Sequence, residues 1–576
     1  MDRVSGSGWG PVPRSFPRSA LIFVGFALAA TLWTLPVWGH PTTSWLGVGG
    51  DPESAMWYLA WWPFAISHLI FPWFTTRLGY PSGVNLTWNP SAPLLGLVGW
   101  PVELIGGVVL EYNVVLTLGL AANAWAGYVA CAHWVRRRRW AVLGGLLFGM
   151  SPWIMSEAYS HASLVIAPGV PLMLVALDEA WRRRGWSVWQ AALAIAGAGY
   201  LTLLISETAY ASLALMVAAI GIWAGWCGRR TWRLWLGRVA GSGVLALALM
   251  APLLGVILWV QLGWPGSVSG QTMPLTLFSA DLTRFFVPGL TELAAIPSLI
   301  SPITSFLGTL SQAGLYIGLP FLALLVVAWR FRIGRPWLGG ITVGLAVAAV
   351  LSLGPVLHVW GHAVGPPLPG TLLADLPLLR ELVPDWFGIY LGLGVALAAA
   401  IVLDRTTTSP TLSRWLRPLA IVAVVSWLPF ALPVSTTLVP AVFKTTALGS
   451  RAVVAFGPAD SSTASDSPML WQAVADFDFS TIGAYRVGRD FADDYPGELP
   501  PFERAMVELQ HGRETWSQAL RSRQRVLHEL AVDRVTLVVV GPMTHESAAV
   551  HFVSALLGRS GRWIDGVWVW HLGRPA

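Results

Sequence analysis

The chain has 576 residues, of which 55% are hydrophobic and only 11% charged. Soluble globular domains carry roughly 25% charged residues, so length and composition exclude an ordinary soluble enzyme, a disordered chain, a disulfide scaffold and a collagen-like fibre. The formal net charge of +6 does not point to nucleic acid, because 35 of the 36 basic residues are Arg and most stand in short clusters between apolar runs.

In chain order, apolar runs predict eleven membrane spans near 20–38, 114–135, 140–156, 164–181, 188–206, 208–226, 238–260, 312–329, 337–354, 386–403 and 416–436. Several reach the roughly 20 residues that cross a bilayer. Arg14 and Arg18 precede the first run as in a signal peptide, but no small-residue cleavage site follows, so a retained first helix is expected. The basic clusters around Arg14, Arg136–Arg139, Arg182–Arg184, Arg229–Arg238, Arg330–Arg335 and Arg405–Arg417 all fall on one side of this arrangement. Before residue 440 the other side holds only Arg77, Arg284 and Arg380. The positive-inside rule then puts the N-terminal segment 1–19 in the cytoplasm, and an odd span count puts the C-terminal region outside. The expected organisation is a transmembrane domain over 20–439, with a first outer loop at 39–113, and an extracytoplasmic domain over 440–576. Cys131 and Cys227 lie near cytoplasmic helix ends, which argues against a disulfide framework.

Within the first outer loop, Met56–Phe71 is aromatic-rich, with Trp57, Trp61 and Trp62 close together. Trp favours the headgroup level, so a helix lying in the membrane interface is expected. Pro93–Leu110, broken by Pro101 and Glu103, reads as a second interfacial or re-entrant segment. Beyond residue 440 the pattern becomes that of a small α/β domain. Strands are expected at 451–456, 534–540 and 566–571, one or two amphipathic helices over 502–530, and a helix over 546–557.

Ionisable residues are costly inside a bilayer, and here they gather on the outer side. Gly49-Gly50-Asp51-Pro52-Glu53 sets two carboxylates in a Gly-Pro turn just after the first span. Transfer of a glycosyl group to a hydroxyl needs a carboxylate base; a cap on the following helix is the plainer use of the same residues. His161, in Ser156-Glu157-Ala158-Tyr159-Ser160-His161, could contact a phosphate, assist as an acid or simply bond between helix ends. Glu207, in a tight outer turn, could bind sugar hydroxyls or pair with Arg. Asp281 and Arg284 share the long outer loop 261–311. Arg284 and Arg380 are the candidates for a phosphate, whose oxygens fit the planar guanidinium fork; headgroup anchoring is the alternative. His358 and His362 have helical i, i+4 spacing, but Pro355, Gly361 and Gly365 oppose a regular helix there, so no metal site is assigned. P-loop, GxGxxG, HExxH and CxxC signatures are absent.

The stretch Gly50-Asp51-Pro52-Glu53-Ser54-Ala55-Met56-Trp57 resembles the GT-C superfamily of membrane glycosyltransferases, with Asp51 at the motif's acidic position. More closely, the chain resembles a group of bacterial GT-C-like proteins, through Pro81-Ser82-Gly83-Val84-Asn85-Leu86, Leu146-Leu147-Phe148-Gly149-Met150-Ser151-Pro152, His161 before an apolar span, and Leu353-Gly354-Pro355. The likeness covers residues 20–430. Pro384-Asp385-Trp386-Phe387 lacks the Arg that this group often carries there. The resemblance implies a hexosyl- or pentosyltransferase in the bacterial plasma membrane, inverting at the anomeric carbon. Its donor would be a polyprenyl-phosphate-linked sugar, and its acceptor an extracytoplasmic glycan, lipid or protein of the cell envelope. Asp51 would be the base and Glu53 its support, Arg284 or Arg380 would hold donor phosphate, and His161, Glu207 and Asp281 could line the substrate. No cofactor is expected, with a divalent metal left open. The rival readings are a transporter or flippase of lipid-linked glycans, which would need ionisable residues at mid-span, and a non-catalytic membrane scaffold of the same fold.

Overall fold

The computed structural model describes residues 16–181, 185–227, 232–268, 275–276, 278–304, 314–333, 337–376, 379–406, 410–436, 439–445, 448–449, 452–459, 468–483, 500–512, 520–521 and 523–572. Arg182–Arg184 and most acidic residues of 460–494 lie outside these. The chain forms two compact units. The first comprises residues 1–36, 116–254 and 273–432; the second comprises 37–115, 255–272 and 433–576.

The first unit is helical. Helices or parts of helices occupy every apolar run expected within it, including Phe16–Trp33, Gly169–Trp181, Val188–Leu203, Glu207–Cys227, Leu319–Arg330, Trp337–Ser352, Gly388–Thr406 and Pro410–Ser426. Among the described residues, five helical stretches are long and apolar enough to cross a membrane: 93–134, 162–181, 207–226, 237–263 and 384–406. Six shorter apolar helices accompany them. On the Phe16–Trp33 helix, Leu21, Val24, Leu28 and Leu32, three or four residues apart, are exposed at 50–71%. An apolar stripe turned outward suits lipid rather than water. The protein is a multi-pass membrane protein.

The run expected as one span at 140–156 is broken. The Arg138–Gly149 helix stops, and a short Pro152–Glu157 helix follows Ser151. Gly144, Gly145 and Gly149 let the first of these approach the Ala124–Cys131 stretch so closely that a Cβ on any of them would collide with it. Small residues serve this purpose where helices pack inside a membrane. The irregular backbone between the Ala162–Val165 and Gly169–Trp181 helices is satisfied by Asn123, whose amide donates to Val165 O at 2.6 Å and accepts from Ala167 N at 2.9 Å. Asp404 similarly accepts from the backbone N–H groups of Arg136 and Arg137, at 3.0 and 3.1 Å, ahead of the Arg138–Gly149 helix. Both are buried polar side chains answering backbone groups that no helix satisfies.

In the second unit, residues beyond 440 carry a five-stranded mixed sheet. Its order is Arg562–Ile564, Val567–His571, Leu537–Val540, Val453–Gly457, Ser480–Thr481; the last three strands are parallel and the first two antiparallel. Helices Pro468–Val474, Pro501–Gln510, Arg523–Val532 and Glu546–Leu557 accompany the sheet. Strand Val453–Gly457 is buried throughout, as a central parallel strand covered on both faces should be. The strands at 480–481 and 562–564 were not apparent from sequence, being two and three residues long.

The aromatic helix of the first outer loop runs Asp51–Ser67, and here the expectation of an interfacial helix is corrected. Trp57, Trp61 and Trp62 are 0–4% exposed. Trp57 stacks on Trp61 and meets Phe477 edge-on. Their indole N–H groups donate to Gln472 Oε1 (2.6 Å), Pro72 O (2.8 Å) and Ser91 O (2.8 Å) respectively. The tryptophans are core residues of this unit, each with its one polar atom satisfied inside it. The apolar residues that do face outward are Ile66, Leu69, Ile70 and Phe71, just past the helix. The second segment is a helix of its own: within Pro93–Trp134 two helices meet at a kink at Gly107, where φ is 79°. A Cβ would strain that backbone, and glycine admits it.

Candidate active site

The candidate residues fall into two groups, one in each unit. In the second unit, Asp51 is the first residue of the buried helix, with Gly50 at the cap position and Pro52 next. Pro suits that place because the first-turn N–H groups lack helical partners. Gly50, not Asp51, occupies the N-cap, and it supplies no side-chain bond. The use of Asp51 as an N-cap is therefore corrected. The carboxylate still gains from the helix dipole at this end. Asp51 keeps 8% exposure and Glu53 1%. Tyr112, fully buried, lies within electrostatic reach of Asp51. Nearby in sequence, Asn113 fixes the approach to this helix by accepting from Leu46 N and donating to Pro41 O and Ser44 O. Strand Ser44–Leu46, which precedes the Gly49-Gly50 turn, pairs with Val434–Thr436.

In the first unit a buried polar cluster surrounds Arg284, which is 1% exposed on the short 3₁₀ turn Leu282–Phe285. Burial pulls the guanidinium pKa down, while the carboxylates of Glu292, Asp385 and Asp281 hold it up. Asp281 caps that turn. It accepts from Thr283 N at 2.8 Å, from the Thr283 hydroxyl, and from Gly361 N at 2.7 Å. Gly361 belongs to the turn of a hairpin formed by Val356–Val359 and His362–Pro367. Val359 pairs with His362 and His358 with Ala363, which puts the two histidines on opposite faces of the ribbon. Among the described residues no group of three His, Cys, Asp or Glu side chains is placed to hold a metal.

His161 sits beside the same cluster. Its Nδ1 lies 2.6 Å from Glu157 Oε2, and its side chain is 23% exposed against 0% for Glu157. Asp385 accepts from Trp153 Nε1 at 3.2 Å. Trp153 is seated against Gly388, where any side chain would collide with the indole. Arg380 stands apart from this core: its side chain is 31% exposed and pairs with the adjacent Glu381 at 3.3 Å. Glu207 begins the Glu207–Cys227 helix just after Ser206, whose hydroxyl accepts from Ala209 N.

Sequence reasoning missed Glu292 and the weight of Glu157. Glu292 is 1% exposed; its Oε1 accepts from Thr291 at 2.7 Å, and its Oε2 has no hydrogen-bond partner among the described residues. It lies in an ordinary-looking loop, and only its bridge to Pro429 draws it inward. Burial raises its pKa to about 7, against the pull of Thr291, the backbone and Arg284. A folded-state pKa above the unfolded one favours folding at low pH, and the advantage is lost as pH rises toward 7. Glu292→Gln should accordingly raise thermal stability at pH 8, by on the order of 1–3 kcal/mol, and have little effect at pH 4.5. An equal shift at both pH values would show that the carboxylate is not the cause.

A family model described as "Domain of unknown function (DUF6311)" matches residues 22–381, well over half of the chain. The chain belongs to the DUF6311 family. The matched segment includes Asp51, Glu53, His161, Glu207, Asp281, Arg284 and Arg380, and stops short of Asp385. A search of curated proteins finds no match. Among solved structures, the DUF6311 chain is similar to the apo oligosaccharyltransferase of Archaeoglobus fulgidus. The identity is 14% over 96% of this chain and 72% of that one, with a TM-score of 0.44. It is similar to the arabinofuranosyltransferase AftD from Mycobacteria at 15% identity over 96% of this chain but only 41% of AftD, with a TM-score of 0.46. It is also similar to ArnT from Cupriavidus metallidurans bound to undecaprenyl phosphate, at 14% identity over 96% and 98% of the chains, with a TM-score of 0.38. These solved relatives are GT-C proteins.

Proposed function

We propose that this DUF6311 protein is a membrane glycosyltransferase of the GT-C type, moving a sugar from a polyprenyl-phosphate-linked donor to an extracytoplasmic acceptor of the bacterial cell envelope. The observation that carries the reading is the setting of Asp51, a carboxylate at the N-terminal end of a rigid, buried helix that keeps 8% exposure where its neighbour Glu53 keeps 1%. A group that removes a proton from an incoming hydroxyl must be both fixed and reachable. Asp51 is assigned as the base and Glu53 as a buried support. The charge asymmetry of the sequence supports a cytoplasmic N-terminus, with Asp51 outside.

For the donor phosphate, Arg380 is the better candidate, since its guanidinium is partly exposed and balanced by a single carboxylate. Arg284 is buried among three, which would compete with a phosphate; we assign it to holding the cluster together, and Asp281 to the turn it caps. His161 stays a candidate substrate contact. Purified protein in lipid nanodiscs, given polyprenyl-phosphate-linked sugars and envelope acceptors, should release polyprenyl phosphate only when both substrates are present.

One observation favours the transporter reading. Glu111 lies just past the kink at Gly107 in the Pro93–Trp134 stretch, is 0% exposed, and neither carboxyl oxygen has a hydrogen-bond partner among the described residues. Intramembrane carboxyls commonly mark ion or substrate paths. Glu111→Gln separates the two activities: a transferase should keep its turnover within about threefold, whereas a flippase driven through this carboxyl should lose transport in a vesicle assay.

A further inference from the structure

The first unit holds two buried carboxyls that the proposed sugar transfer does not use. Glu157 and Asp385 are 0% and 1% exposed, and their carboxyls are in hydrogen-bonding contact. Glu157 Oε2 already faces His161 Nδ1 at 2.6 Å, and Asp385 Oδ2 accepts from Trp153 Nε1 at 3.2 Å. The remaining oxygens, Glu157 Oε1 and Asp385 Oδ1, have no donor among the described residues. Two ionised carboxylates have no hydrogen to offer each other, and they repel; one proton between them makes a bond and satisfies both orphan oxygens.

The surroundings make two charges at this place costlier still. Among the described residues Arg284 is the one cation that acts on Asp385, and it also faces Glu292 and Asp281. With every carboxyl ionised, three negative groups would share this buried guanidinium, and the Glu157 charge would stand beside one of them. Tyr159 lies near Glu292 and adds no positive charge. His358, 8% exposed, is bridged to Asp281 through the backbone. The one member of the connected set with appreciable exposure is His161, at 23% of its side chain.

We propose that Glu157 and Asp385 hold a single proton between them and exchange it with the outside through His161, so that this unit sets the net charge of the Arg284 cluster. Exchange runs through the Nε2–H tautomer of His161, whose Nδ1 is open to Glu157 Oε2 at 2.6 Å. The shared proton passes through the Glu157 carboxyl to Nδ1, the imidazolium releases its Nε2 proton to the outside, and a neutral Nδ1–H imidazole is left donating to the Glu157 carboxylate, so charge and protons balance at each step. The pair then becomes dianionic and the cluster gains one negative charge. The inference stands on the first unit alone and does not depend on the sugar-transfer reading.

Infrared spectroscopy of the full-length protein in nanodiscs tests it without any activity assay. At pH 7 the wild type should show a protonated-carboxyl C=O band that shifts in D₂O. Labelling aspartate with ¹³C at the side-chain carboxyl should move part of that band. Asp385→Asn and Glu157→Gln should each abolish that part, while Glu111→Gln and Glu207→Gln leave it in place. His161→Phe should keep the band and slow its shift in D₂O. A wild-type spectrum with no aspartate-sensitive band at pH 7 overturns the shared proton, even if both carboxyl variants fail to fold. A band that exchanges as fast in His161→Phe as in the wild type overturns the exchange route.

Discussion

Asp51→Asn should leave the protein folded while sugar transfer falls by roughly 10²–10⁴-fold, the usual worth of a positioned general base. The substitution keeps the size and hydrogen-bonding capacity of the side chain at the first position of the Asp51–Ser67 helix. It costs only the interaction of the negative charge with the helix N-terminus, about 0.3–1 kcal/mol. Asparagine does not accept a proton at neutral pH, so the chemical step is what suffers. Glu53→Gln should cost less in turnover, because Glu53 is 1% exposed and does not reach an acceptor. The two variants are to be compared by initial rates at saturating donor, with folding checked by thermal denaturation. Undiminished transfer by Asp51→Asn would sink the assignment of the base and leave the helix terminus as this residue's whole role.

Arg284→Ala should be the most destabilising single change at the candidate residues, by about 3–5 kcal/mol, the typical effect of removing one partner from a buried ion pair. The guanidinium is 1% exposed and interacts with Glu292, Asp385 and Asp281. Without it three buried carboxyls lose their nearest cation, and the space of a long side chain is left unfilled. Had Arg284 been a donor clamp, the same change would lower donor affinity and leave the melting temperature alone. Thermal denaturation in the absence of donor separates the two: an unchanged melting point with weakened donor binding would return Arg284 to the phosphate. Arg380→Ala should behave in the opposite way, with a small effect on stability, since partly exposed ion pairs contribute about 0–1 kcal/mol, and a marked loss of donor affinity.

The apolar runs by themselves determined that this is a multi-pass membrane protein, because a bilayer imposes length and hydropathy on any segment that crosses it. The clustering of 20 of the 35 Arg on one side of those runs fixed the expected orientation. The Gly-Gly-Asp-Pro-Glu sequence marked the helix start at Asp51, since Gly and Pro punctuate the chain wherever they fall. Helix Glu546–Leu557 was legible to the residue, being amphipathic and closed by Gly558 in the left-handed region.

Other features depend on contacts between residues far apart in the chain. Trp57, Trp61 and Trp62 have the composition of a membrane-interface helix, and only their partners at Gln472, Phe477 and Ser91 show that they are a core. Composition cannot tell an aromatic side chain that faces lipid from one that faces protein, since both surroundings are apolar. The break at Gly149–Pro152 is set by close packing on the Ala124–Cys131 stretch. The polar cluster joins Glu157, Arg284, Glu292 and Asp385 from four separate segments, none with a recognisable spacing. The sequence determined which residues must avoid lipid; the tertiary structure decided which of them meet, because a buried charge is stabilised by whichever opposite charge or donor the packing brings to it.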